Sequence, residues 1–160
     1  MEQQKSNQKT WVFALIGVIL VAVIVLLVKN SGSETPKEPQ APGFEIQTPY
    51  IALKYPEKWQ DSVRTEITGT DTEYFVTFYS LIAGKEDTEL FSVFFNQESE
   101  FLWGTLKTEE GKDISVGFSF AELNLDEGWT QEETETVYAM QEDVNYLLDD
   151  LSRKENFKEA

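Results

Sequence analysis

Hydrophobic and polar positions along this chain follow three successive patterns. Residues 11–28, WVFALIGVILVAVIVLLV, are apolar on every face and carry no charge. At about 1.5 Å per residue they make a helix of about 27 Å, close to the ~30 Å hydrocarbon core of a bilayer. Lys5 and Lys9 precede the run, Lys29 closes it, and Trp11 opens it at headgroup depth. From residue 44 to residue 120 the pattern is dominated by alternation with a period of two. From Thr130 it changes to the period of an amphipathic helix.

The alternating part predicts several strands. Ile51, Leu53 and Tyr55 face one way up to Pro56, and Val63, Thr65 and Ile67 repeat the pattern up to Gly69. Residues 74–82 (YFVTFYSLI) and 90–95 (LFSVFF) are apolar on both faces, which predicts central strands covered on both sides. Residues 83–89 between them, with Gly84 and three acids, form an exposed turn. Residues 101–107 and 114–120 are two more strands, joined by the Gly-containing loop 108–112 into a hairpin. In the second of these, Ile114, Val116, Phe118 and Phe120 face the core, and Ser115, Gly117 and Ser119 face away.

The helical pattern spans Thr130–Ser152. Thr130-Gln131-Glu132-Glu133 fits a capping box. Val137, Met140, Val144, Leu147, Leu148 and Leu151 form one stripe, with Glu132, Glu135, Glu142, Asp149 and Asp150 opposite. Arg153, Lys154 and Lys158 follow the last turn, where cations suit the helix dipole. The expected fold class is α+β: an N-terminal transmembrane helix plus an exported antiparallel β-sheet of five to seven strands, covered by this C-terminal amphipathic helix.

The domain organisation follows. Residues 1–10 are a cytoplasmic tail and residues 11–28 the membrane span, which contacts lipid. Residues 29–43 are a Pro-rich linker, and residues 44–160 an acidic exported domain. A cleaved signal peptide is the competing reading of the span, but the run is long for an h-region and Leu27–Ser31 offers no small-x-small site. The basic residues on the two sides nearly balance, with a bias towards an inside amino terminus; this places the protein in the cell membrane as a single-pass chain with its C-terminal domain outside. Pro36, Pro39 and Pro42 recur every third residue, the polyproline II repeat, so the linker reaches about 40 Å as a semi-rigid stalk.

Charge narrows the partners. The chain carries a net charge of −16, and residues 44–160, with nine basic against twenty-six acidic side chains, carry −17. Phosphate backbones and anionic headgroups repel such a domain, so nucleic acid is not an expected partner. With no Cys and no His there is no disulfide, no thiol chemistry and no imidazole base, which excludes Ser-His-Asp and Cys-His catalysis.

Carboxylates are the remaining chemistry. Adjacent acids on an exposed helix do not place two carboxylates across a cleft, as glycoside hydrolysis requires, and read as solvated surface. An irregular calcium site from Asp126 and Glu127 with Glu86 or Asp87 is the metal candidate; no EF-hand loop is present and no other cofactor is expected. Phe91, Phe94, Phe95, Phe101 and Trp103 are the candidate sugar-stacking aromatics, although alternating aromatics in strands ordinarily form sheet core. Ser6-Asn7-Gln8-Lys9 matches the S-x-x-K pattern by chance, ahead of the span and without a fold around it.

Tyr55-Pro56-Glu57-Lys58-Trp59, closing the strand of IALKYPEKW and followed by strands and a terminal helix, resembles the opening of the PsbP/Mog1-like α/β sandwich. The chain is also similar to single-span membrane proteins of Gram-positive clostridia at Thr48–Tyr50 and Met140–Asn145. The PsbP/Mog1 resemblance implies a protein-binding adaptor and carries over no functional residue. The expected function is therefore a non-enzymatic, membrane-anchored binding or scaffold module that recruits a protein at the cell surface. A cation- or glycan-binding module is the alternative, and a carboxylate-based hydrolase the third reading.

Overall fold

The computed structural model describes residues 40–125 and 128–160. The expected tail, span and most of the linker lie outside the described residues, as do Asp126 and Glu127. Among the described residues no helix is long and apolar enough to cross a membrane.

Among the described residues there are eight strands and two α-helices: β1 (Gly43–Gln47), β2 (Ala52–Pro56), β3 (Val63–Gly69), β4 (Tyr74–Ser80), β5 (Thr88–Phe95), β6 (Phe101–Lys107), β7 (Asp113–Phe120), α1 (Gln131–Glu142), α2 (Val144–Ser152) and β8 (Phe157–Glu159). β3 to β8 form a six-stranded antiparallel sheet in the order β3-β4-β5-β7-β6-β8, and β1 and β2 pair separately as a hairpin. The expected antiparallel α+β fold is thus observed, with six strands in the main sheet.

The register explains which side is core. Side chains opposite one another share a face, so Ile67, Val76, Val93, Phe118 and Phe101 make one row across the sheet, and Thr65, Phe78, Phe91 and Phe120 the next. Phe78 stacks on Phe91 at 4.5 Å and Tyr74 on Phe95 at 4.6 Å. Tyr55 brings the β1-β2 hairpin onto this face, its ring 5.3 Å from Phe78 and 5.9 Å from Phe91. The helices close the same core with Val137, Met140, Val144, Leu147, Leu148 and Leu151, all buried, which is the stripe the helical spacing predicts.

Two expectations about burial are corrected. The far face of β4 and β5 is covered only in part: Thr77 and Ser92 are buried there, whereas Phe75, Tyr79 and Phe94 are half-buried. The continuous apolar run arises partly because β5 carries a bulge at Leu90, which turns an extra side chain into the core. Likewise Asp150 does not lie on the solvent face of its helix. It is 8 % exposed and sits 3.1 Å from Lys154 Nζ.

The single expected helix is two, broken at Asp143. Tyr55 donates its hydroxyl hydrogen to the Met140 carbonyl on the last turn of α1. Asp143 Oδ2 accepts from Trp59 Nε1 at 2.6 Å and pairs with Lys58 Nζ at 2.7 Å. The Tyr-Pro-x-x-Trp segment, a β-strand end followed by a 3-10 turn over Glu57–Trp59, is therefore the clamp that holds the break. Gln141 secures the other side, donating to Leu90 O at 2.7 Å and Ala121 O at 3.0 Å.

Candidate functional site

The far face of the sheet is graded by chemistry from one row to the next. Thr68, Phe75, Phe94, Gly117 and Leu102 form an apolar row, Glu66, Thr77, Ser92 and Ser119 a hydroxyl row, and Arg64, Tyr79 and Glu89 a charged row. Phe75 stacks on Phe94 at 5.3 Å. The buried Thr77 and Ser92 hydroxyls share one hydrogen bond at 2.9 Å, and Ser92 Oγ donates to Glu89 Oε1 at 3.4 Å, so with Thr77 donating to Ser92 both hydroxyl hydrogens are used. Arg64 lies over the Tyr79 ring at 4.2 Å and donates from Nε to Asp87 at 2.9 Å, and that hydrogen bond raises the guanidinium pKa further.

An unusual connection crosses this face. β5 and β6 run parallel to each other with β7 between them, so residues 96–100 must pass over β7. Asn96 turns the chain with φ 55° and donates its N–H to Ser115 O, and Glu100 N donates to Ser119 Oγ at 2.8 Å. The crossover is so close that a Cβ on Gly117 would meet Ser99 Oγ at 1.8 Å, which is why only glycine fits beneath it. The result is a ridge bearing the exposed acids Glu98 and Glu100. The Phe75–Phe94 stack lies on one side of it and Leu102, 63 % exposed, on the other.

The residues expected to carry metal chemistry sit elsewhere. Glu86 and Asp87 line a shallow cleft of about 600 Å³ together with Glu89, Glu122, Asn124 and Trp129. Asp87 is held by Arg64, and Lys85 occupies one side, donating to the Gly128 carbonyl and pairing with Glu133 at 3.4 Å. Glu133 is held below the ordinary carboxylate range chiefly by the Thr130 backbone N–H, which completes the expected capping box. Among the described residues no three acidic side chains converge as a metal site would need. Asp126 and Glu127 lie outside them.

The candidate stacking aromatics divide. Phe91, Phe95 and Trp103 are core, Phe101 packs on Phe118 at 5.1 Å, and only Phe94 reaches the outer face. Sequence reasoning passed over Phe75 and Leu102, although strict alternation along β4 and β6 would have placed Phe75 opposite Tyr74 and Val76 in facing. Leu102 is harder to read, because a bulge at Trp103 shifts the pattern of β6. The chain matches no family model, and neither a curated protein nor a solved structure is significantly similar to it.

Proposed function

We propose that this chain is a membrane-anchored binding module that holds an acidic domain outside the cell and docks a protein on the outer face of its sheet. The exposed Leu102 beside the acidic crossover carries the reading. An exposed leucine next to a half-buried aromatic pair gives a partner apolar footholds, and Glu98 and Glu100 between them favour lysine or arginine. The fitting partner is a protein surface with apolar side chains on either side of a basic strip. The anchor in this reading is the apolar run of residues 11–28, joined to the domain through the Pro-rich linker.

The test is photocrosslinking in intact cells with a photoreactive residue at position 102 of the full chain, compared with position 132 on the exposed side of α1. A discrete protein adduct at 102, absent at 132 and lost on Glu98→Lys/Glu100→Lys, is the expected outcome. Equal labelling at both positions, or no protein adduct at 102, would overturn the assignment.

A further inference from the structure

We propose that two copies of the chain pair edge to edge through β3, antiparallel about a dyad at Thr65, joining their sheets into one. This surface is separate from the outer face around Leu102, since β3 and β6 stand at opposite sides of β4, β5 and β7. Among the described residues the outer edge of β3 pairs with no strand. The hydrogen bonds Leu81 N to Ser62 O and Thr70 N to Glu73 O flank the β3–β4 ladder in its own register. Antiparallel ladders bond at every second residue, so the even-numbered residues face β4, and Val63, Thr65 and Ile67 direct their N–H and C=O groups to the open edge.

That parity restricts a symmetric partner. An open-edge residue must meet an open-edge residue, so the dyad passes through a residue of β3. Centred on Arg64 or on Glu66, the pairing sets like charges opposite each other. Centred on Thr65, it sets Arg64 opposite Glu66 of the second copy and Glu66 opposite its Arg64, both in the close non-hydrogen-bonded positions. The same register lays Ile67 against Val63 of the second copy, covering a side chain that is otherwise 47 % exposed at the rim of the core. Isolated edge charges ordinarily deter strand addition. Here the two opposite charges at i and i+2 deter the two adjacent symmetric registers, centred on Arg64 or Glu66, and favour this one. Arg64 already reaches Glu66 along the strand at 3.3 Å and Asp87 at 2.9 Å, so both partners are ordered on the face where the second copy would meet them.

The absence of cysteine from the sequence makes the dyad directly measurable. In a hydrogen-bonded pair the two Thr65 Cα atoms would be about 5.5 Å apart, within the ~4.4–6.8 Å span of a disulfide. The two Ile67 positions would be about 14 Å apart. Mild oxidation of the full chain in detergent micelles should therefore dimerise Thr65→Cys about tenfold more than Ile67→Cys. In the Thr65→Cys background, Glu66→Arg should lower the dimer yield about tenfold by turning both unlike pairs into like ones. Arg64→Glu/Glu66→Arg should restore it. Thr65→Cys that crosslinks no better than Ile67→Cys, a charge swap that fails to rescue, or an adduct to a different protein would each overturn the proposal.

Discussion

Tyr55 joins the hairpin, the sheet and the helix break through one side chain. Its ring lies among Phe44, Phe78 and Phe91, and its hydroxyl donates to the Met140 carbonyl. Burial first, and the negative charge of Asp143 second, raise its pKa far above the ordinary 10.0. The sign for stability follows. The folded state keeps the phenol neutral while the unfolded chain ionises it, so the contribution is complete below pH ~10 and is lost as pH rises beyond that. Tyr55→Phe removes both the hydrogen bond and this titration. The variant should be less stable than the parent by about 1–2 kcal/mol at pH 7, and the gap should close as pH approaches about 11. Urea unfolding at the two pH values measures it. A gap unchanged with pH would show that the hydroxyl is not held neutral.

At the scale of elements, the break between α1 and α2 is the feature that periodicity alone could not give. The apolar stripe runs through it without losing phase, because Met140, Val144 and Leu147 all reach the same core. What interrupts the helix is tertiary: Trp59 and Lys58, more than eighty residues upstream, converge on Asp143. Asp143→Ala should cost about 1–2 kcal/mol and leave the Trp59 indole N–H without its acceptor. Asp143→Asn, which keeps an acceptor and gives up the ion pair, should fall between the two. Denaturant melts rank the three proteins; equal midpoints for Asp143→Ala and the parent would mean that the clamp contributes nothing. β2 to β7 and the capped start of α1 were legible because alternation, turn glycines and the Thr130–Glu133 box are local signals. β1 and β8 were not. β1 follows the Pro-rich stretch directly in sequence and, among the described residues, pairs with β2 alone, and β8 is three residues that exist only because β6 offers an edge. The outer face was half legible: Ser115, Gly117 and Ser119 were placed correctly, but the reason for Gly117, the chain passing above it, is a contact between segments.

Over the whole molecule, the excess of acids is the property most visible in the sequence and least explained by any one site. The acidic side chains are spread across the described surface, and several are spent on local ion pairs, such as Asp87 with Arg64, Glu110 with Lys112 and Asp149 with Arg153. A net charge of −17 on residues 44–160 works against compactness through self-repulsion, and mobile ions screen it over a Debye length of about 10 Å at 0.1 M. Raising sodium chloride from about 0.01 to 0.1 M should therefore raise the Tm of the full chain in detergent; each 1 kcal/mol of relieved repulsion is worth about 4 °C in a domain of this size. Calcium chloride at matched ionic strength separates screening from binding. Where the acids act only as surface charge, the two salts give the same shift, and that is the outcome the cleft geometry favours, with Asp87 already taken by Arg64 and Lys85 paired to Glu133. A calcium shift several degrees beyond the sodium one would instead require a bound ion, and Glu86 with Asp126 and Glu127 would be the first side chains to replace.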